Sequence, residues 1–272
     1  MNDRQIDVAL EAAIRAARAA GVLMATHRTR PKKVHSSTRH DLKLELDVRC
    51  QRVITRSLAG AFPDIPVLGE EAVQEASLTA PARWVVDPVD GTVNFAHGIP
   101  HAAVSIALQL RETPRSAGYA DGYATVAGVV LDPFCDERFT ARRGHPACLN
   151  GRRIRVSTRP LREAILSLGF SGRAGNIPAL VRDVQRLAPR VRKLRIMGSA
   201  ALALAYVASG RFDAYVETGI QLWDIAAGGL IVESAGGVFR RRQAGPDGRI
   251  ALEASNGHLG RRPLVAVPSG TQ

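Results

Sequence analysis

The sequence predicts a mixed fold that begins as α+β and ends as α/β. An amphipathic helical pattern opens the chain, strand-like runs fill its middle, and strands alternate with helices after about residue 158. The change in pattern divides the chain into an α+β half, residues 1–157, and an α/β half, residues 158–272. No low-complexity linker separates them, which predicts one integrated unit. A chain of 272 residues can bury roughly 70–75% of its unfolded surface, enough for a large layered core.

Residues 4–25 predict the first helix, because Ile6, Leu10, Ala13, Ile14 and Ala17 recur at helical spacing. Segment 28–40 is basic and rich in Ser and Thr, and reads as a mobile loop. A second helix is expected from about 41 to 60, carrying Leu46, Val53, Ile54 and Leu58 and stopped by Pro63 and Pro66. Val67-Leu68 forms a short strand that runs into Gly69-Glu70-Glu71. Strands follow at 84–87, 102–110, 126–132, 137–141 and 153–156. Residues 111–125, with Gly and Pro among them, read as an extended hairpin loop, and Asn150-Gly151 marks a tight turn. In the second half, strands 164–169, 192–196 and 213–216 alternate with helices 177–187, 199–209 and 223–235. Leu264-Val265-Ala266-Val267 reads as a last strand.

Composition narrows the function. Hydrophobic residues make up 46% of the chain, which indicates a globular protein, and no apolar run is long enough to span a bilayer. The start, Met1-Asn2-Asp3-Arg4, lacks a secretory hydrophobic region, so a cytoplasmic location is expected. Cys50, Cys135 and Cys148 are odd in number and far apart, which suits free thiols in a reducing compartment. The seven histidines form no ligand spacing for zinc, and no P-loop, dinucleotide fingerprint or nucleophilic serine elbow is present. The net charge of +12 invites a nucleic-acid partner. However, the arginines are dispersed in short groups such as Arg142-Arg143, Arg152-Arg153 and Arg240-Arg241-Arg242, with no aromatic residues interleaved as stacking platforms. Specific nucleic-acid binding is therefore not expected, although the positive field would draw in anionic substrates.

Asp87-Pro88-Val89-Asp90-Gly91-Thr92 carries the strongest chemical signal. It follows the apolar run Trp84-Val85-Val86, so two carboxylates stand three residues apart where a buried strand ends. Val89 offers a carbonyl between them, and Gly91 and Thr92 can turn N–H groups toward an anion. Oxygen ligands crowded beside an anion-binding turn suit Mg²⁺ and a phosphate. Glu70, after its own strand, can face the same metal. Asp224, in Trp223-Asp224, is either the N-cap of its helix or the residue that closes a metal site. Ser199, in Met197-Gly198-Ser199-Ala200, is an N-cap, and that helix start can also face a phosphate or a hydroxylated substrate.

Taken together, these segments resemble the inositol monophosphatase family of Mg²⁺-dependent, lithium-sensitive phosphatases. The matching residues are Gly69-Glu70-Glu71, Asp87 through Phe95, Gly198-Ser199-Ala200, and Trp223-Asp224 followed by Ala227-Gly228. Asp47 falls where the family carries a catalytic aspartate. The likeness runs from about residue 5 to about 268 and implies a layered αβαβα sandwich of the inositol monophosphatase/fructose-1,6-bisphosphatase type. A homodimer is implied as well.

The resemblance also implies roles. Glu70, Asp87 and the Val89 carbonyl would hold one Mg²⁺, and Asp87, Asp90 and Asp224 a second. A third, weaker ion would lean on Glu70. Asp47 and Thr92 would orient and deprotonate the attacking water, with Glu70 also counted among the catalytic residues. The Gly91 and Thr92 N–H groups would hold phosphate, while Gly198, Ser199, Ala200 and Glu217 would contact phosphate or substrate. The implied reaction is hydrolysis of a small phosphate monoester, inositol 1-phosphate first, within one catalytic unit. Fructose 1,6-bisphosphate, histidinol phosphate and 3′(2′),5′-bisphosphate nucleotides are alternatives on the same core. A non-catalytic role in RNA or ribosome-associated regulation is the rival from another class. The chain departs from the family at Gln221, where many members have histidine, near His35, and in the 111–125 loop, which looks longer than usual.

Overall fold

A computed structural model of the protein describes residues 1–29, 34–37, 42–112, 119–170, 177–244, 248–260 and 264. Six helices are described: α1 (Asp3–His27), α2 (Glu45–Ala61), α3 (Thr92–Ala96), α4 (Ile177–Leu187), α5 (Ala200–Ala208) and α6 (Leu222–Ser234). The first nine strands are β1 (Val34–Ser37), β2 (Leu42–Leu44), β3 (Val67–Gly69), β4 (Ala82–Asp90), β5 (Ala103–Arg111), β6 (Tyr123–Asp132), β7 (Glu137–Arg142), β8 (Cys148–Leu149) and β9 (Arg152–Arg153). The second half adds β10 (Ile165–Leu168), β11 (Lys193–Arg195), β12 (Ala214–Ile220), β13 (Val238–Gln243) and β14 (Ile250–Ser255).

The larger sheet has seven strands in the order β3-β4-β5-β6-β7-β8-β9. It is antiparallel apart from the β3–β4 pair. The smaller sheet has five strands in the order β11-β10-β12-β14-β13, parallel around β10 and antiparallel around β14. Three cores hold the layers together. Large residues on one face of β4, β5 and β6, among them Val86, Ile106, Leu108 and Leu131, meet Ala13, Ala17, Met24, Ile54 and Leu58 of α1 and α2. Val85, Ala103, Ala107 and Val130 on the opposite face meet α5 and α6, which also pack on Tyr215, Phe239 and Leu252 of the smaller sheet. Leu166, Leu168, Ala214 and Val216 close a third core with Leu187 of α4. The layers therefore run helix, sheet, helix, sheet, helix, which is the αβαβα sandwich that the family resemblance implied. The middle core takes residues from both sides of position 157.

The alternation along β5 shows how sequence sets these layers. Val104, Ile106 and Leu108 face α1 and α2, whereas Ala103, Ser105 and Ala107 turn small side chains toward α6. Small residues let α6 approach the sheet closely. A Cβ at Gly128 of β6 would stand 3.0 Å from Ala227 Cα, so glycine sets that spacing.

Several expectations change. Residues 34–37, expected in a mobile loop, form β1 and pair with β2, and helix α2 starts at Glu45. Its start is fixed by Asp47, whose carboxylate accepts the Leu44 N–H at 2.8 Å. Strands β13 and β14 went unpredicted. Of the expected strand 153–156, only Arg153 is paired, within β9. The expected last strand at 264–267 lies, beyond Leu264, outside the described residues, as does the 113–118 part of the long hairpin loop. Among the described residues no helix is long and apolar enough to cross a membrane.

Candidate metal and phosphate site

The site forms where β4 ends. In a regular strand, residues three apart point to opposite faces. Asp87 pairs with Ser105 and Asp90 with Ala103, so three steps along β4 match two along β5. This bulge inserts one extra residue and turns both carboxylates to the same side. Asp224, in the first turn of α6, completes the group. Carboxylate oxygens of Asp87, Asp90 and Asp224 all lie within 4.8 Å of one another. Glu70 follows β3, held by its N–H to the Val86 carbonyl at 3.1 Å, and its charge reaches both Asp87 and Asp224.

Each carboxylate is anchored by the local backbone. Asp87 accepts the Val89 N–H at 3.0 Å, and Asp224 accepts the Gln221 N–H at 2.9 Å; Gln221, not Asp224, is the N-cap of α6, and Asp224 is the third helical residue reaching back to it. Asp90 is held more extensively. It accepts the Ser199 hydroxyl, the Ala200 N–H at 3.2 Å and the Ala201 N–H at 2.8 Å. The N-terminus of α5, read from sequence as open to a phosphate or substrate, thus cradles the Asp90 carboxylate. Ser199 also caps this helix through Leu202.

The turn after Asp90 is built on Gly91, whose φ of +91° is costly for any side-chain-bearing residue. A Cβ there would stand 3.0 Å from the His101 carbonyl and 3.1 Å from that of Gly198. Asn94 ties the same three segments together, donating to the carbonyls of His101 at 2.9 Å and Met197 at 2.8 Å. The Thr92 hydroxyl donates to the Val89 carbonyl at 2.9 Å. Asp47 is buried in the first turn of α2 and spends one oxygen on Leu44. Glu217 stands on β12, and the charge of Asp90 reaches it.

Electrostatics explains what the group is poised to do. Burial, then the charges of Glu70, Asp90 and Asp224, push Asp87 well above the usual carboxylate range. Burial, then Glu70 and Asp90, do the same to Asp224. Asp90 rises to about 6, driven by burial and restrained by the Ser199 hydroxyl and the α5 N–H groups. Glu217 rises to about 7, again mainly by burial, with Tyr215 pulling it down. Hard oxygen donors that repel one another at this spacing fit a divalent cation such as Mg²⁺, which would relieve the repulsion.

The geometry thus brings together Asp87, Val89, Asp90, Gly91, Thr92 and Asp224, with Glu70 and Glu217 within electrostatic reach. It assigns Gly198, Ser199 and Ala200 to the walls that hold Asp90 and Asn94. Sequence reasoning gave no role to Asn94, which lies in the quoted motif, or to Tyr215. The signal for Tyr215 was its position two residues before Glu217 on a strand, which places both side chains on one face.

The chain is 41% identical over 228 residues to the Nus factor SuhB of Xylella fastidiosa, spanning 82% of this chain and 78% of that protein. The extragenic suppressor protein suhB of Bartonella henselae superposes with a TM-score of 0.80 at 34% identity, over 92% of this chain and 94% of that one. The IMPase of Thermotoga maritima gives a TM-score of 0.77 at 34% identity, over 91% and 92% of the two chains. Residues 5–266 match the model of the Inositol monophosphatase family, and the chain belongs to that family.

Proposed function

We propose that the protein hydrolyses small phosphate monoesters with Mg²⁺, with inositol 1-phosphate as the first candidate substrate. The observation that carries this reading is the convergence of Asp87, Asp90 and Asp224 oxygens within 4.8 Å beside the Gly91 turn. Glu70, Asp87, the Val89 carbonyl, Asp90 and Asp224 would hold two to three Mg²⁺, whose chemistry is to acidify water and to neutralise charge on phosphoryl oxygens.

The chain's own groups do the rest. Thr92 spends its proton on the Val89 carbonyl, which leaves its oxygen lone pairs to accept a hydrogen bond from an attacking water. Asp47 would take up the proton from that water. The Gly91 and Thr92 N–H groups would receive the phosphate in the turn after β4. Glu217 would accept hydrogen bonds from the hydroxyls of the alcohol. Fructose 1,6-bisphosphate, histidinol phosphate and 3′-phosphoadenosine 5′-phosphate share the reacting group and differ only at that end.

A second reading, a Nus-factor role, is favoured by the name of the Xylella fastidiosa relative and by the net charge of +12. It is compatible with catalysis. A phosphate-release panel over these four substrates, with and without Mg²⁺ and Li⁺, tests the proposal. Mg²⁺-dependent release that Li⁺ suppresses is expected. No release from any of the four would reject the phosphatase reading and leave the regulatory one. We further expect the active protein to be cytoplasmic and to assemble as a homodimer.

A further inference from the structure

Tyr215 and Glu217 stand on one face of β12, and the Tyr215 hydroxyl donates to Glu217 Oε2. Tyr215 is only 2% exposed, and its ring is part of the core against α5 and α6. Burial, then the Glu217 charge, drive its phenol well above 10, so it remains a donor. Gly169, just after β10, closes the other side. A Cβ there would stand 1.8 Å from Glu217 Oε2 and 2.2 Å from its Cδ. Oε2 is therefore fixed between a buried hydroxyl and a glycine that leaves no spare room. Oε1 accepts no hydrogen bond from the described residues, and Glu217 itself is only half-buried. Arg249, which is bonded to the Gly219 carbonyl, is a cation whose charge reaches Glu217, and Asp90 and Asp224 are anions that it also feels.

We infer that Tyr215 is a positioning residue that sets substrate selectivity: by holding Oε2 against Gly169 it presents Oε1 to the hydroxyls of a polyol phosphate. This rests on the phosphatase reading and adds to it a determinant of which alcohol is preferred. A carboxylate with one oxygen fixed loses less freedom when its other oxygen accepts a hydroxyl, so the gain appears in substrate affinity. A substrate whose alcohol lacks hydroxyls cannot collect that gain.

The test compares inositol 1-phosphate with phenyl phosphate, which has no free hydroxyl on its alcohol. In Tyr215→Phe the ratio of the two kcat/KM values is expected to fall about tenfold, mainly through KM for inositol 1-phosphate, as loss of a hydrogen bond to a charged group would give. Gly169→Ala displaces Glu217 from the opposite side and should move the ratio in the same direction. In a Glu217→Ala background, Tyr215→Phe should change it no further. A ratio within twofold of the unsubstituted protein in both single variants would overturn the inference. So would a fall that persists in the Glu217→Ala background. Phosphate release from neither substrate by the unsubstituted protein would instead bring down the phosphatase reading, and this inference with it.

Discussion

Asp90 Oδ2 accepts the Ala201 N–H at 2.8 Å, tying the end of β4 to the start of α5 across 111 positions of sequence. One carboxylate thereby serves both the acidic cluster and the start of a helix. The two duties separate by substitution. Asp90→Asn keeps an oxygen for the Ala201 N–H but gives up the charge that a cation needs. Turnover should fall by more than about 100-fold, beyond the range seen when only a ligand's supporting partner is lost. Melting of the metal-free protein should move by only a few degrees. Asp90→Ala loses the cap as well and should cost about 1 kcal/mol more in urea unfolding. Near-normal activity of Asp90→Asn would remove Asp90 from the metal set.

The cluster also dictates how stability depends on pH. Asp87, Asp90, Asp224 and Glu217 all have folded-state pKa values above their ordinary ones, with Asp90 at about 6 and Glu217 at about 7. A raised folded pKa means that the folded state holds protons more tightly than the unfolded state does. Its contribution is complete below the ordinary carboxylate pKa and is lost as pH rises through the folded value. The metal-free protein should therefore become less stable from about pH 4 to pH 8. Saturating Mg²⁺ should restore the loss at the upper end, by about 2.7 kcal/mol at 100 times its dissociation constant. Thermal melts across this pH range, with Mg²⁺ or with EDTA, check both trends. A metal-free Tm that climbs over the same interval would contradict the cluster's electrostatics.

Helices with clear apolar spacing, α1 and α2 among them, were legible in the sequence because their buried faces repeat every three to four residues. Strand β13 was not. Its Arg240-Arg241-Arg242 run reads only as one of the dispersed arginine groups, yet it forms an edge strand, where charged side chains discourage pairing with another molecule. The β1–β2 pair was hidden in the same way by a polar composition. At the site, the acidic residues and their chemistry could be read, but not how Asp87 and Asp90 come to face one side. That depends on a bulge whose register exists only in the β4–β5 pairing. The use of α5 to hold Asp90 was equally invisible, since Ser199 and Asp90 are 109 positions apart.

Gly91 opens the turn that follows the strand carrying Asp87 and Asp90, and its requirement for glycine is twofold. Its φ is +91°, and the atoms that a Cβ would meet are backbone carbonyls of His101 and Gly198, which cannot rotate away. Gly91→Ala should destabilise by about 2–3 kcal/mol in urea unfolding, combining left-handed strain with displacement of backbone. Gly98 is the matched control: its φ is +75°, but a Cβ there meets open space. Gly98→Ala should cost only the conformational part, about 1 kcal/mol. Equal costs at the two positions would show that the close approach to His101 and Gly198 does not matter.

Ser199 offers the most selective perturbation, because it touches the acidic cluster through Asp90. Its hydroxyl donates to Asp90 and its oxygen receives the Leu202 N–H at 3.3 Å. Ser199→Ala removes both bonds and should lower stability by about 1 kcal/mol, as loss of a helix N-cap does. It should also weaken Mg²⁺ binding by about 10- to 100-fold, the usual penalty for losing a partner that orients a ligand. Ser199→Thr keeps the hydroxyl and should recover most of both losses. Calorimetric titration of Mg²⁺, alongside urea unfolding in EDTA, separates the two effects. If Ser199→Ala lost stability but bound Mg²⁺ as tightly as the unsubstituted protein, its hydrogen bond to Asp90 would belong to the helix alone.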